Sequence, residues 1–299
     1  MDANATAIDT EGEMMNALTV DVEDYFHVEA FSGHIKRAEW DNFPCRVERN
    51  TERVLGMLAD HGAEATFFVL GWVAERYPAL VKRIARNGHE VASHGCQHFR
   101  VVEQTPEAFR DDVRRAKGLL EDISGSPVRG YRAPSFSIGR ENLWALDILA
   151  QEGYVYSSSV YPIRHDLYGM PGAPRFAFRP NGRDGFLELP ISTVSIGDFK
   201  FPCGGGGYFR LFPYEWSRWA WRRINETDHK PCIFYFHPWE IDPDQPRQRQ
   251  AGLKSRLRHY TNLRRMEGKL RFALRDFTWR RLDDTFLSEP ARFEQANLA

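Results

Sequence analysis

Short apolar runs recur along the chain, separated by longer stretches in which apolar residues return every three or four positions. The runs at 17–22 (ALTVDV), 65–70 (ATFFVL), 90–93, 128–131, 155–157, 187–191 and 232–236 (CIFYF) read as strands. The stretch 105–123 reads as a helix. Thr105 suits the N-cap, Pro106 the first helical position and Glu107 the first turn, and Gly125 follows the end. The stretches 73–86 and 142–151 carry the same spacing and close on Gly88 and Gly153. Alternating strands and helices predict an α/β fold with a parallel sheet and helices outside it. Seven strands favour a distorted, closed or nearly closed (β/α)7 TIM-like barrel. The expected organisation is a disordered segment at 1–16, the barrel at 17–240, and a basic helical C-terminal extension at 241–299 packed on it.

Composition agrees with a packed protein: 42% of the 299 residues are hydrophobic and 13% aromatic, enough to fill a large core. The formal net charge of −1 gives the whole chain no bias towards nucleic acid. Charge is unevenly placed, however. Between 247 and 281 twelve Lys and Arg face two acids, Glu267 and Asp276. That segment reads chiefly as a solvated face, and it offers peripheral contact to an anionic glycan or lipid. Self-association is left open. Cys45, Cys96, Cys203 and Cys232 lack CxxC spacing, so reduced thiols are expected. An acidic N-terminus without an apolar run, and no run approaching the ~20 apolar residues of a membrane span, point to a cytoplasmic protein.

The reactive residues fall at one kind of place. Asp21, Glu23 and Asp24 end the first strand, His94 and His98 follow the third, Arg132 ends the fourth, and His237 ends the seventh. In a parallel barrel those ends share one rim, where catalytic sites are built. On a helical turn His94 and His98 point the same way and can grip one cation, with the carboxylates after strand one supplying a third ligand. An extended His94-Cys96-His98 face is the alternative geometry. Arg132 is the natural partner of a carboxylate in this acidic cluster. Gly204 to Gly207 read as a flexible loop or a lid over the cleft.

The ordered set DVED, SHGCQH, YRAPS and FYFHPWE resembles the polysaccharide deacetylases of carbohydrate esterase family four, with the NodB-homology fold, over about residues 17–240. The segments GGGGYFRLFP and HYTNLRRMEGKLRFALRDF are similar to the subgroup encoded in exosortase-linked exopolysaccharide loci. Most of the family has adjacent aspartates, whereas TVDVED places Val22 at the second position. This resembles a branch with the two acids separated by one residue, which includes peptidoglycan deacetylases and cofactor-independent allantoinases. The resemblance implies Asp21 as base, Glu23 as metal ligand with Asp24 as rival, His94 and His98 as further ligands, His237 as acid and Arg132 as orienting residue. It implies a divalent cation, zinc first, and an N-acetylated glycan substrate. Ser135, Phe136, Tyr161, His165 and Trp239 are the expected substrate contacts. An allantoinase-like hydrolase of cyclic amides, and a non-catalytic carbohydrate-binding protein, are the alternative readings.

Overall fold

The computed structural model describes residues 14–166, 168–180, 185–288 and 293–298. The expectation of disorder therefore lies almost wholly outside the described residues, and the first strand begins at Asn16. Seven parallel strands form the centre: β1 Asn16–Val22, β2 Thr66–Val69, β3 Glu90–Ser93, β4 Gly130–Tyr131, β5 Tyr156–Ser157, β6 Leu187–Glu188 and β7 Ile233–Phe236. They lie side by side in the order β7-β1-β2-β3-β4-β5-β6. The remaining seam, between β6 and β7, is stitched by Ser192 and the glycine run. The Ile233 N–H donates to Ser192 Oγ at 2.7 Å, and the Tyr235 N–H donates to the Gly204 carbonyl at 2.8 Å. The fold is the expected α/β barrel, nearly closed, with a helical C-terminal part.

Side-chain alternation along β1 explains the layering. Leu18, Val20 and Val22 join the apolar layer under the surrounding helices. Ala17 joins a second cluster inside the barrel with Phe68, Ala92, Tyr156, Leu187, Ile233 and Tyr235. Thr19 and Asp21 continue that inner face towards the C-terminal rim. The helix Leu282–Leu287 closes the opposite mouth, where Leu282 and Phe286 complete the inner cluster and the Leu282 N–H donates to Thr66 Oγ1 at 2.8 Å. The C-terminal segment also adds Trp279–Arg280 as a parallel partner of β1.

Two helices follow the expected punctuation. Pro106–Ser124 starts on Thr105, whose side chain accepts from the Ala108 N–H, and stops at Gly125 in the left-handed conformation with φ of 70°. The stretch 142–151 becomes a 3-10 turn, Arg140–Asn142, followed by the helix Trp144–Gln151. The stretch 73–86 is not one helix. It divides into Gly71–Arg76 and Pro78–Arg86, because Pro78 has no N–H to continue the first ladder and is well suited to opening the second. Among the described residues, no helix is long and apolar enough to cross a membrane.

Candidate active site

The inner-face residues at the C-terminal ends of the strands meet in one cavity, lined among others by Asp21, Glu23, His94, His98, Ser135, Phe136, Tyr235 and His237. Asp21, the last inward residue of β1, presents Oδ1 to Arg132 Nη1 at 2.6 Å. The Arg132 guanidinium is fully buried. It donates to the Ser158 carbonyl, Ser158 Oγ and Thr19 Oγ1 as well, so its contact with Asp21 uses one nitrogen rather than two. Phe68 lies 4.1 Å beneath its charged carbon. A cation with all three nitrogens engaged cannot swing away, and it fixes the Asp21 carboxylate in turn.

Glu23, His94 and His98 offer one ligand atom each, all within 4.8 Å of one another, and all three side chains are buried. The means of convergence differs from the expected helical turn. SHGCQH is a loop in which Gly95 and His98 take left-handed backbone, with φ of 74° and 54°, and this brings the imidazoles together with ring centroids 5.4 Å apart. Cys96 stays out of the set. Its N–H donates to Asp112 and its sulfur is buried against that helix, as packing. His94 Nδ1 lies 2.8 Å from the Arg132 carbonyl, which makes it the donor and leaves Nε2 with a free lone pair. Burial, set against the pull of Asp21, holds the His94 imidazole down at about 4, so it is neutral at pH 7. His98 Nε2 is 2.9 Å from Glu23 Oε2, yet among the described residues that buried oxygen accepts no hydrogen bond of good geometry. Burial pushes the Glu23 carboxyl up, but the imidazoles of His98, His237 and His94 outweigh it and leave it well below the usual carboxylate range. Two nitrogens and a carboxylate oxygen this close together fit a divalent cation.

Asp24 does not join this set, which corrects its place as rival ligand. Its carboxylate accepts from the backbone N–H groups of Tyr25, Arg46 and Val47, at the start of the helix Val47–Asp60. Its lone pairs serve the orphan donors of a helix N-terminus.

His237 follows β7. Its Nε2 lies 3.2 Å from Glu23 Oε1 and 3.9 Å from Asp21 Oδ2. On the other side, Nδ1 is 2.8 Å from Glu240 Oε1, and Glu240 Oε2 takes Arg210 Nε at 2.6 Å. Burial works against the imidazolium, but Glu23, Glu240 and Asp21 prevail and raise His237 to about 9. Sequence reasoning missed Glu240 and Arg210. The available signal was HPWE itself, a residue, Pro and then Glu three positions on, which is the spacing of a helix-start capping box.

The expected substrate contacts divide. Ser135, Phe136, His165 and Trp239 line the cavity. Ser135 and Phe136 do so on consecutive left-handed residues, φ of 55° and 49°, a strained backbone of the kind that gathers at working sites. Tyr161 does not line it, and this corrects its assignment: it is buried behind Tyr168, ring planes 7° apart, and Tyr168 takes the exposed place. Nor are the glycines 204–207 a lid. A side chain at Gly204 would strike the Ile233 carbonyl and the Ser192 N–H, and one at Gly206 would strike the Glu240 carboxylate. Gly204, Gly205 and Gly206 permit close approach at the barrel seam.

Comparison with known proteins agrees with this fold. Residues 38–156 match the polysaccharide deacetylase family, and residues 158–287 match a domain of unknown function, DUF3473. A chitooligosaccharide deacetylase of Sinorhizobium fredii is 48% identical over 152 residues, covering 49% of this chain and 62% of the relative. A peptidoglycan-N-acetylglucosamine deacetylase of Bacillus cereus is 32% identical over 131 residues, covering 42% of this chain and 46% of the relative. The chain thus spans about half the length of the curated relatives it matches. Two solved structures share the fold. One is a Mycobacterium smegmatis protein provisionally assigned as a polysaccharide deacetylase, with TM-score 0.54, 22% identity and 85% and 82% of the two chains covered. The other is Puue allantoinase, with TM-score 0.57, 13% identity and 92% and 91% covered. The chain thus carries a polysaccharide deacetylase domain at residues 38–156, followed by a DUF3473 region at residues 158–287.

Proposed function

We propose that the protein is a metal-dependent hydrolase that removes N-acetyl groups from a polysaccharide or its oligosaccharide precursor, in exopolysaccharide or cell-envelope glycan synthesis. The observation that carries this reading is the meeting, in one cavity, of a three-ligand cluster with a fixed carboxylate and the half-buried imidazole of His237. Glu23, His94 and His98 would hold the cation, zinc being the simplest choice for two imidazoles and a carboxylate. When bound, it would supply Lewis-acid polarisation of the acetamide carbonyl and a lowered water pKa.

The chain's own groups supply the proton transfers. Asp21, anchored by Arg132, takes a proton from the attacking water. An amine leaves only if protonated, and His237 Nε2, facing Glu23 and Asp21, is the donor. Its Nδ1–H, held by Glu240, keeps the ring turned towards the cavity. The Ser135 N–H, on the cavity wall, is the candidate donor to the developing oxyanion. By their names the two relatives deacetylate peptidoglycan N-acetylglucosamine and chitooligosaccharide, which makes a chitooligosaccharide acetamide the first substrate to try.

The test is acetate release from N-acetylated chitooligosaccharides by zinc-reconstituted and metal-stripped protein, with allantoin in parallel. The expected result is metal-dependent acetate release that Asp21→Asn reduces at least ~10²-fold. Turnover of allantoin alone would transfer the protein to the cyclic-amide class. Full turnover by Asp21→Asn would remove the assignment of the base.

A further inference from the structure

The helix Leu253–Tyr260 has two unlike faces. Its inner face is locked. His259 stacks on Trp239 with ring centroids 4.2 Å apart and meets Phe31 at 4.6 Å. Arg210 Nη1 donates to the carbonyls of His259 and Thr261 at 2.9 and 2.6 Å, pinning the last turn. The helix therefore cannot roll about its axis to bury what it carries outside.

Outside, it carries Leu253 and Leu257, four residues apart and thus on one face, 70% and 60% exposed. Single exposed leucines are ordinary, so the pair alone would mean little. The charges around them give it meaning. Lys254 and Arg258 are taken by Asp166. Arg249, Arg256, Arg264 and Arg265 are exposed and form no ion pair among the described residues. Arg256 stands between the two leucines on the same helix, and the other three lie just before and after that helix in the chain, so on a chain of net charge −1 unpaired cations gather in the segment that carries the leucine pair. Exposed apolar side chains in a cationic segment fit a surface that is anionic outside and hydrocarbon just beneath.

We propose that this face docks the protein peripherally on an anionic phospholipid bilayer, with Leu253 and Leu257 entering the headgroup layer and the free arginines meeting lipid phosphates. Arg258 and His259 of the same helix line the catalytic cavity, so docking brings the cleft mouth close to the headgroups. On the deacetylase reading, which this last step alone depends on, the substrate would be a glycan still linked to lipid.

The experiment is flotation of the full chain with vesicles of phosphatidylcholine alone or with about 30% phosphatidylglycerol, at low salt and at about 0.5 M salt. Binding to the phosphatidylglycerol vesicles only, weakened by salt, is expected. Leu253→Glu with Leu257→Glu should lower partitioning at least ~10-fold without changing the melting temperature, since both side chains are solvated. Arg249→Glu with Arg256→Glu should weaken binding and flatten its salt dependence. Absence of flotation at low salt would overturn the proposal, and so would unchanged flotation of the leucine variant. A dimer of the free chain that the same leucine variant dissociates would also overturn it, in favour of a second copy on this face. Turnover is not read in any arm, so the docking face and the deacetylase reading fail separately.

Discussion

His237 Nδ1 lies 2.8 Å from Glu240 Oε1, and the other oxygen of Glu240 is held by Arg210, so the half-buried imidazole is backed by a buried carboxylate and guanidinium in one line. Glu240 touches no part of the cavity's reacting centre, which makes it a positioning residue for His237. Glu240→Gln keeps the shape but exchanges a fixed acceptor for an amide. It should lower kcat by roughly 10- to 100-fold, the scale of a misdirected general acid, with KM altered less than about threefold. Bound zinc should be unchanged, because neither Glu240 nor His237 belongs to the ligand cluster. An equal loss in Tm and KM with kcat preserved would mark Glu240 as structural only.

Glu23 and Asp24 are adjacent, and their substitutions should separate cleanly. Glu23→Gln removes the anionic ligand from the His94 and His98 cluster and should abolish zinc retention after dialysis, as should His94→Ala. Asp24→Asn should retain zinc and instead lose about 1–2 kcal/mol of stability, because it weakens the acceptor for the Arg46 and Val47 N–H groups. Metal content by mass spectrometry and thermal melting of both variants decide the pair. Zinc loss from Asp24→Asn would reverse the assignment.

How far the sequence reached is clear from β1. A period of two along ALTVDV places Asp21 inward with Thr19 and Ala17, and the structure has that alternation. All seven barrel strands lie within the predicted runs, extended by one residue at Asn16, because most of the runs are dominated by apolar residues and bounded by polar turns. The longest helix was equally legible from Thr105 and Gly125. What escaped depended on contacts between distant segments. Asp24 reads as one more acid in a cluster until Arg46 and Val47 arrive from 22 and 23 positions away. Tyr161 and Tyr168 are equivalent aromatics in sequence, and only packing decides which faces the cavity. The geometry of His94 and His98 turned on left-handed backbone at a histidine, which residue type signals poorly.

The glycine run gives a test of the barrel seam. A Cβ at Gly206 would meet the Glu240 carboxylate, whereas one at Gly207 meets nothing within 4 Å. Both sit in the helix Gly206–Leu211, where Ala is otherwise preferred by up to ~1 kcal/mol. Gly207→Ala should therefore be neutral or slightly stabilising, with full turnover. Gly206→Ala should displace Glu240 and reproduce the kcat loss of Glu240→Gln. Identical kinetics for the two glycine variants would show that the close approach has no part in placing His237.

At the opposite end of the barrel, Glu90 is buried and accepts from Tyr156 Oη at 2.9 Å and from Thr66 Oγ1, with the Asp283 N–H at 3.4 Å. Burial, with the Asp283 carboxylate adding to it, pushes Glu90 up to about 8 despite those three donors. Between its ordinary value near 4.5 and about 8, the folded state therefore holds a proton that the unfolded chain has released. Stability must then fall as pH rises through that window, at up to ~1.4 kcal/mol per pH unit for one full proton. The contribution is fully present below the unfolded value and lost above the folded one. Glu90→Gln is neutral at every pH and close in shape. It should match the wild type in Tm near pH 5 and exceed it by several degrees near pH 9, as melting across that range would record. A difference that stays constant with pH would mean that Glu90 is ionised in the fold throughout, its charge carried by the Thr66, Tyr156 and Asp283 donors.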